Sequence, residues 1–482
     1  MNSFPDQHAH VEALDEVAFF RQEFHDRPTK RADELFEPVD AVLCAPGAVR
    51  SLVDPVPAPE HRRGHGGPYD GVDAGRIDVE RLSMPVAGMP VPRAGDGRIC
   101  LAVDVSNWPR PDAACCPDRL FCHVHGCGKG NAQMIPGWPY SVVAALETGR
   151  TSWTAVLDAV RLGPADDVAE ATAEQVRQVV ERLIALGHHR PGDPVVLIVF
   201  DAGYDIPRLA FVLADLPVEV VGRLRSDRVF AFPAPAKPAG SPGRPAFHGA
   251  AFALDDGATQ PDPAVTTVAE TTRHGTATAV SFDRLHPRLT RRTCWLDFPD
   301  DVPLPVIEGT VVRLEVDHLP GDRDPKPVWL WASKTGATPE DVDRWWRCYL
   351  RRFDLEHTFR FWKQTLGWTR PKLRSPEAAD RWTWLIIAAH AQLRLARHLV
   401  DDLRHPWEKP AAPGRLTPAR VRRGFRNIRP TLPLPAAAPK PSTPGPGRPP
   451  GSRNRRPATV HDVGKTVTRA DTLTEHHARA TG

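Results

Sequence analysis

Two short apolar runs, each ending in an aspartate, constrain this chain most. Residues 98–105 read RICLAVDV, and residues 195–205 read VVLIVFDAGYD. Continuous apolarity over strand length is the mark of a strand buried within a sheet. Between them, residues 166–186 form a strong amphipathic helix, with Val176, Val179, Val180, Leu183 and Ile184 on one stripe. Further strands are expected at 119–124, 140–146, 152–161 and 218–223, with a short helix at 206–213. Strands followed by amphipathic helices imply an α/β core with a mixed sheet.

The flanks follow from pattern and composition. Residues 1–95 read as a helical N-terminal module and linker, opened by a helix over 10–25 with Val11, Leu14, Val17, Phe19, Phe20 and Phe24 as apolar positions. Residues 96–224 hold the first part of the core. Residues 225–330 carry short alternating segments broken by Pro, Gly and Asp, and read as a β-rich insertion. Residues 331–405 return to the core: Val328 opens a strand, Thr338-Pro339-Glu340-Asp341 starts a long helix to about 365, and Ser375-Pro376-Glu377 starts another to about 403. Residues 406–457 contain 14 prolines, so 406–482 is expected to be a disordered basic tail. Residues 411–482 hold 14 Lys and Arg against 3 Asp and Glu, while the whole chain carries a net charge of only +3. A basic tail on a mildly acidic body points to a polyanionic partner.

No apolar run approaches the ~20 residues that span a bilayer. The N-terminus has no basic start followed by an apolar stretch, so the cytoplasm is the expected compartment, with association to the nucleoid. Eight cysteines in 482 residues are too sparse for a disulfide scaffold.

Asp104 and Asp201 end the two apolar runs. In open α/β sheets ligands bind at the carboxyl ends of strands, and two aspartates there can converge on a divalent cation. Alone, each could equally cap a helix or pair with an arginine. The third element sharpens the reading. Tyr349, Arg352, Glu356 and Lys363 fall at about 0°, −60°, −20° and −40° on a helix turning ~100° per residue, one narrow stripe. A carboxylate flanked by cations can complete a metal site while Arg and Lys hold phosphates. The plainer alternative is a solvated face of ion pairs.

Asp104, Asp201 and Glu356 in this order resemble the DDE-type transposases of bacterial insertion sequences. The spacing Tyr349-x2-Arg352-x3-Glu356-x6-Lys363 resembles the Y-(2)-R-(3)-E-(6)-K signature of one large group of them. The stretches LAVDVSNW, NAQMIPGWPYSVVAALE, DAGYD, GRLRSDRVF and RRFDLEHTFRFWKQTLGW also resemble actinobacterial transposases of this kind. The resemblance implies a ribonuclease-H-like catalytic core with a β-rich insertion between the second aspartate and the glutamate, which here lie 155 positions apart. It implies two Mg²⁺ (or Mn²⁺) ions held by Asp104, Asp201 and Glu356, DNA cleavage at element ends, and strand transfer into target DNA. Arg352 and Lys363 would grip phosphates, and Tyr349 a phosphate or displaced base. DNA would be the partner, bound by a homodimer. The rival readings are a domesticated or inactive DNA-binding descendant and another metal nuclease on the same core.

Two further features are secondary. Cys115, Cys116, Cys122, His123, His125 and Cys127 are dense enough to suggest zinc, but their spacing fits no standard C-x2-C pair, so zinc is the disfavoured reading. Gly447-Arg448-Pro449 resembles an AT-hook, with Arg448 as its DNA-contacting residue; a generic phosphate-binding arm is the simpler reading. The same tripeptide at 243–245 is read as incidental. The tryptophans, including Trp108, Trp138 and Trp362, are expected in the core.

Overall fold

The structure, a computed structural model, describes residues 4–125, 132–149, 151–237, 242, 246–272, 274–296, 298–319, 325–412, 414–440 and 457–464. The N-terminal segment holds α1 (Phe4–Asp26), a two-stranded ribbon of β1 (Pro28–Lys30) and β2 (Arg76–Ile77), α2 (Ala32–Cys44), α3 (Gly67–Ala74) and α4 (Val79–Gly88). The core follows with β3 (Cys100–Pro109), β4 (Leu120–His125), β5 (Ala132–Leu146), β6 (Thr154–Arg161), α5 (Val168–Ala185), β7 (Val196–Phe200), α6 (Ile206–Val212) and β8 (Val218–Leu224). Then come β9 (Val229–Pro233), β10 (His248–Ala253), β11 (Val265–Thr271), β12 (Gly275–Pro287), β13 (Gly309–Val316) and β14 (Val328–Ala332). The chain closes with α7 (Pro339–Arg351), α8 (Phe353–Phe361), α9 (Pro376–Leu395) and α10 (Pro418–Ile428).

The expected mixed sheet is present, with antiparallel and parallel strands meeting at its centre. In spatial order β6, β5 and β3 are antiparallel, and β7 and β8 run parallel to β3. The parallel pairs are possible because α5 and α6 supply the crossovers. Val196–Phe200 is buried at every position, which is why it reads as an unbroken apolar run. Residues between β8 and α7 do not form a separate sheet. β14 pairs antiparallel with β8, and β13, β12, β9 and β10 extend the same sheet outward. Its far strands keep the alternation of a half-exposed sheet: β11 alternates half-buried and exposed along its length.

Two apolar layers cover this sheet. One joins α5, α6 and the inner faces of β7 and β14. The other joins α1, α2, α7, α8, α9 and α10 with the opposite face. The N-terminal helices thus share a core with α9. Arg21 of α1 is fully buried and donates to both Asp40 oxygens of α2 at 2.5 and 2.8 Å, to Gln392 of α9 at 2.7 Å, and to the carbonyl of Pro433 at 3.2 Å. Val17, Phe20 and Phe24 of α1 are buried, whereas Val11 and Phe19, expected on the same stripe, are more than half exposed.

Three expectations need correction. The segment after residue 405 is not wholly disordered. α10 buries Val421 and Phe425, Arg422 donates to the carbonyls of Val42 and Gly47, and Arg429 donates to Asp40 at 2.7 Å. The prolines there cap and end structure rather than prevent it: Pro418 occupies the first turn of α10. Arg448 and its neighbours lie outside the described residues, as do Cys127 and residues 243–245. The helix expected from 338 to about 365 is present as consecutive helical pieces, interrupted at Arg352, whose backbone is itself helical. α7 starts as expected, with a Thr338–Asp341 capping box, but stops at Arg351. α8 follows, and Trp362–Leu366 forms one π turn ended by Gly367. Gly367 has φ 77°, and a Cβ there would stand 2.5 Å from the carbonyl oxygen of Val49. Third, α9 ends at Leu395, eight residues before the expected stop, in a single 3₁₀ turn.

Candidate active site

Asp104 lies mid-way along β3 and Asp201 directly follows β7. Val103 and Phe200 are register partners in the parallel pair, so the next residue on each strand carries a carboxylate. Side-by-side aspartates at neighbouring strands are therefore a consequence of register. α7 and α8 lie across this edge and bring the other sequence candidates to it.

Arg352, at the junction of α7 and α8, bridges the two aspartates. Its guanidinium donates to Asp104 Oδ2 at 2.5 Å and stands 3.4 Å from Asp201 Oδ2. Its Nε is buried without a hydrogen-bond partner. The Tyr349 hydroxyl donates to Asp201 Oδ1 at 3.4 Å. Glu356 lies one turn further on α8 with its side chain exposed, and its charge is felt at Asp104, Arg352 and Lys363. Lys363 sits in the π turn, its ammonium over the Trp368 ring at 5.7 Å. The structure thus brings Asp104, Asp201, Tyr349 and Arg352 into direct contact and places Glu356 and Lys363 on the same flank.

The electrostatics show where charge is in excess. Asp104 has a carboxyl raised to about 6, first by burial and then by the carboxylates of Glu356 and Asp201, against the pull of Arg352. Seen from Arg352 the balance has the other sign. Burial opposes its charge, yet Asp104 and Asp201 outweigh that and raise its pKa. At Asp104, burial and the neighbouring carboxylates therefore outweigh the pull of Arg352. Tyr349 is raised by burial and by Asp201, and Lys363 is lowered by burial despite the nearby Glu356 and Asp104.

Burial of negative charge is the usual signature of a cation site. The donor set is hard carboxylate oxygen, which suits Mg²⁺ or Mn²⁺. Among the described residues, no group of three His, Cys, Asp or Glu stands close enough to share an ion as placed. The Arg352 guanidinium fills the space between the aspartates and acts as the cation there. The residues fit the group by chemistry, and Arg352 marks where positive charge is wanted.

Two nearby residues escaped sequence reasoning. The charge of Arg223 on β8 is felt at the Tyr349 hydroxyl, and Tyr204 stands over Phe200 with ring centroids 5.1 Å apart. Burial and then the Asp104 carboxylate raise the Tyr204 hydroxyl well above its ordinary value. Arg223 repeats the pattern of the aspartates, a polar residue at the end of a buried strand, and could have been found that way.

The described cysteines of the Cys/His cluster differ in exposure. Cys116 and Cys122 are buried and Cys115 is exposed. Cys116 donates weakly to the carbonyl of Leu373, which is a packing role. Trp108, Trp138, Trp345, Trp362 and Trp368 are all fully buried, so none offers an exposed face for stacking.

Residues 19–288 match the family model described as DDE superfamily endonuclease. The family match covers Asp104 and Asp201 and ends before Tyr349. No curated protein matches the chain closely enough to name a relative. Among solved structures, the chain is similar to a piggyBac transposase synaptic complex with hairpin DNA, at 12% identity and TM-score 0.40, over 88% of this chain and 80% of that one.

Proposed function

We propose that this chain, which belongs to the DDE superfamily endonuclease family, is a transposase that cuts DNA at the ends of its own element and joins those ends to target DNA. The observation that carries the reading is the register-matched pair Asp104 and Asp201, bridged by Arg352 and overlooked by Glu356. Asp104, Asp201 and Glu356 would hold divalent cations, Mg²⁺ or Mn²⁺. Such ions, when bound, activate the attacking hydroxyl and stabilise the leaving oxygen.

The chain's own residues supply positioning and charge. Arg352 is fixed by two aspartates and presents a planar donor set that suits a phosphodiester oxygen. Lys363 is held against Trp368 on the same flank and adds positive charge where the bridging phosphate would lie. Tyr349, bonded to Asp201, fixes that carboxylate's orientation and offers its hydroxyl to a phosphate or base. The buried Asp104 keeps one side of the site dry, which strengthens each of these interactions. The basic Arg448 segment would bind DNA outside the site, and two copies would assemble on paired ends. Association with the nucleoid would follow from that DNA binding. Among the described residues no helix is long and apolar enough to cross a membrane.

The test is cleavage of a labelled duplex carrying the gene's own flanking ends, with Mg²⁺ or Mn²⁺. Metal-dependent nicking at the boundary, absent in Asp201→Ala and Glu356→Ala, is expected. Uncut DNA in every lane, with binding retained in a shift assay, would refute catalysis and leave a DNA-binding protein.

A further inference from the structure

On the flank of α8 that carries Phe353, Asp354 and His357 the surface opens into a cleft of about 1100 Å³. Its walls come from the β5–β6 loop, the β11–β12 turn, the ends of α7 and α9, and residues 414–417 before α10. Six arginines line it: Arg93, Arg347, Arg351, Arg394, Arg397 and Arg415. Three acids face them, Glu147, Glu270 and Asp354. Glu147 accepts from both Arg394 and Arg397, Asp354 pairs with Arg351, and Asp343 pairs with Arg347, so the six arginines still outnumber the acids beside them.

The cleft is joined to the catalytic edge through α8. Phe353 directly follows Arg352 in sequence and lines the cleft. On a helix turning ~100° per residue, Phe353 and His357 stand roughly 60° and 100° round from Glu356. Phe353 is 52% exposed, unusual for a large ring, and His357 packs edge-on against it at 5.0 Å. The ring is held in place but not covered. A small phosphate compound would leave most of this space empty, since small-molecule pockets run to roughly 1,000 Å³ at most and enclose their ligand. Arginines contributed by four separate segments suit a chain of phosphates instead, and an exposed, braced ring suits an unpaired base.

We infer that this cleft binds an unpaired DNA strand next to the cut, with its phosphates on Arg347 and Arg351 and a base stacked on Phe353. The inference rests on the transposase reading and adds a path for the strand away from the carboxylates. Arg347 and Arg351 are the outward pair on α7, with side chains 55% and 24% exposed, and their present partners are the neighbouring carboxylates Asp343 at 3.2 Å and Asp354 at 3.0 Å. They can therefore be changed without opening the core.

The test is equilibrium binding of a labelled oligothymidylate, by fluorescence anisotropy in EDTA over a range of salt. Working in EDTA separates binding from catalysis. Arg347→Gln with Arg351→Gln should flatten the dependence of log K on log salt by about 1.4, at roughly 0.7 for each single-strand phosphate no longer neutralised. Phe353→Ala should weaken binding by roughly fivefold to a hundredfold with the salt slope unchanged. Arg347→Lys with Arg351→Lys, and Phe353→Tyr, should keep the wild-type behaviour and exclude misfolding as the cause. Wild-type affinity and slope in both disruptive variants would overturn the cleft assignment alone. Failure of the wild-type protein to bind either the oligothymidylate or the duplex ends would overturn the transposase reading as well.

Discussion

Replacing Asp104 by asparagine removes a charge that the fold disfavours. The carboxyl titrates near 3.8 in an unfolded chain and at about 6 in place, with burial as the first cause. Protonated Asp104 is therefore the better-tolerated form. Its contribution is intact below the unfolded value, and stability is lost as pH rises through about 6. The gap of roughly two pH units is worth about 3 kcal/mol, at about 1.36 kcal/mol per unit. Asparagine mimics the protonated form at every pH. In metal-free protein, Asp104→Asn should thus be more stable than wild type by about 3 kcal/mol at alkaline pH, and by roughly half of that near pH 5. Urea unfolding in EDTA, followed by tryptophan fluorescence at both pH values, measures the difference. The reasoning fails if the variant is the less stable protein at alkaline pH. The Arg352 ion pair would then outweigh burial, and Asp104 would be a structural partner of that arginine rather than a carboxylate kept charged to hold a cation.

Other predictions concern the frame that holds the site. Phe425→Ala should cost about 3–5 kcal/mol, because Phe425 is fully buried between α10 and the N-terminal helices; calorimetry showing no loss would return this segment to a disordered tail. Arg21→Met should cost about 3–5 kcal/mol by leaving Asp40 with one of its two arginines, and Asp40→Asn in that background should recover part of it. Gly367→Ala should destabilise through both the positive φ and the clash with Val49. A wild-type melting temperature in that variant would mean the π turn is not fixed as described.

Much of this was legible in the sequence because burial writes itself as apolar runs. RICLAVDV and VVLIVFD mark β3 and β7; Asp201 follows its strand as expected, whereas β3 runs on past Asp104 to Pro109, so that aspartate ends the apolar run but not the strand. The α7 start was legible from Thr338, Pro339 and Asp341, which act locally. The break at Arg352 was not. Nothing in YLRRFDLEH forbids a continuous helix; the interruption is the single residue Arg352, whose backbone stays helical and whose side chain reaches two aspartates. The π turn has the same character, since only its glycine is visible in sequence and its cause is the packing against Val49. The order of 406–440 was hidden because proline content resembles disorder, while the partners that order it lie nearly 400 residues away. For the cleft, spacing gives no sign at all: its arginines converge from separate segments.

The account stands on Asp104, Asp201 and Glu356 forming one cation site even though Arg352 now bridges two of them. The direct measurement is Mn²⁺ binding by electron paramagnetic resonance, in wild type and in Asp104→Asn, Asp201→Asn and Glu356→Gln. The account predicts bound Mn²⁺ in wild type and a loss of affinity in each single variant, Glu356→Gln included. Equal Mn²⁺ binding in all four proteins, or none in any, would contradict it.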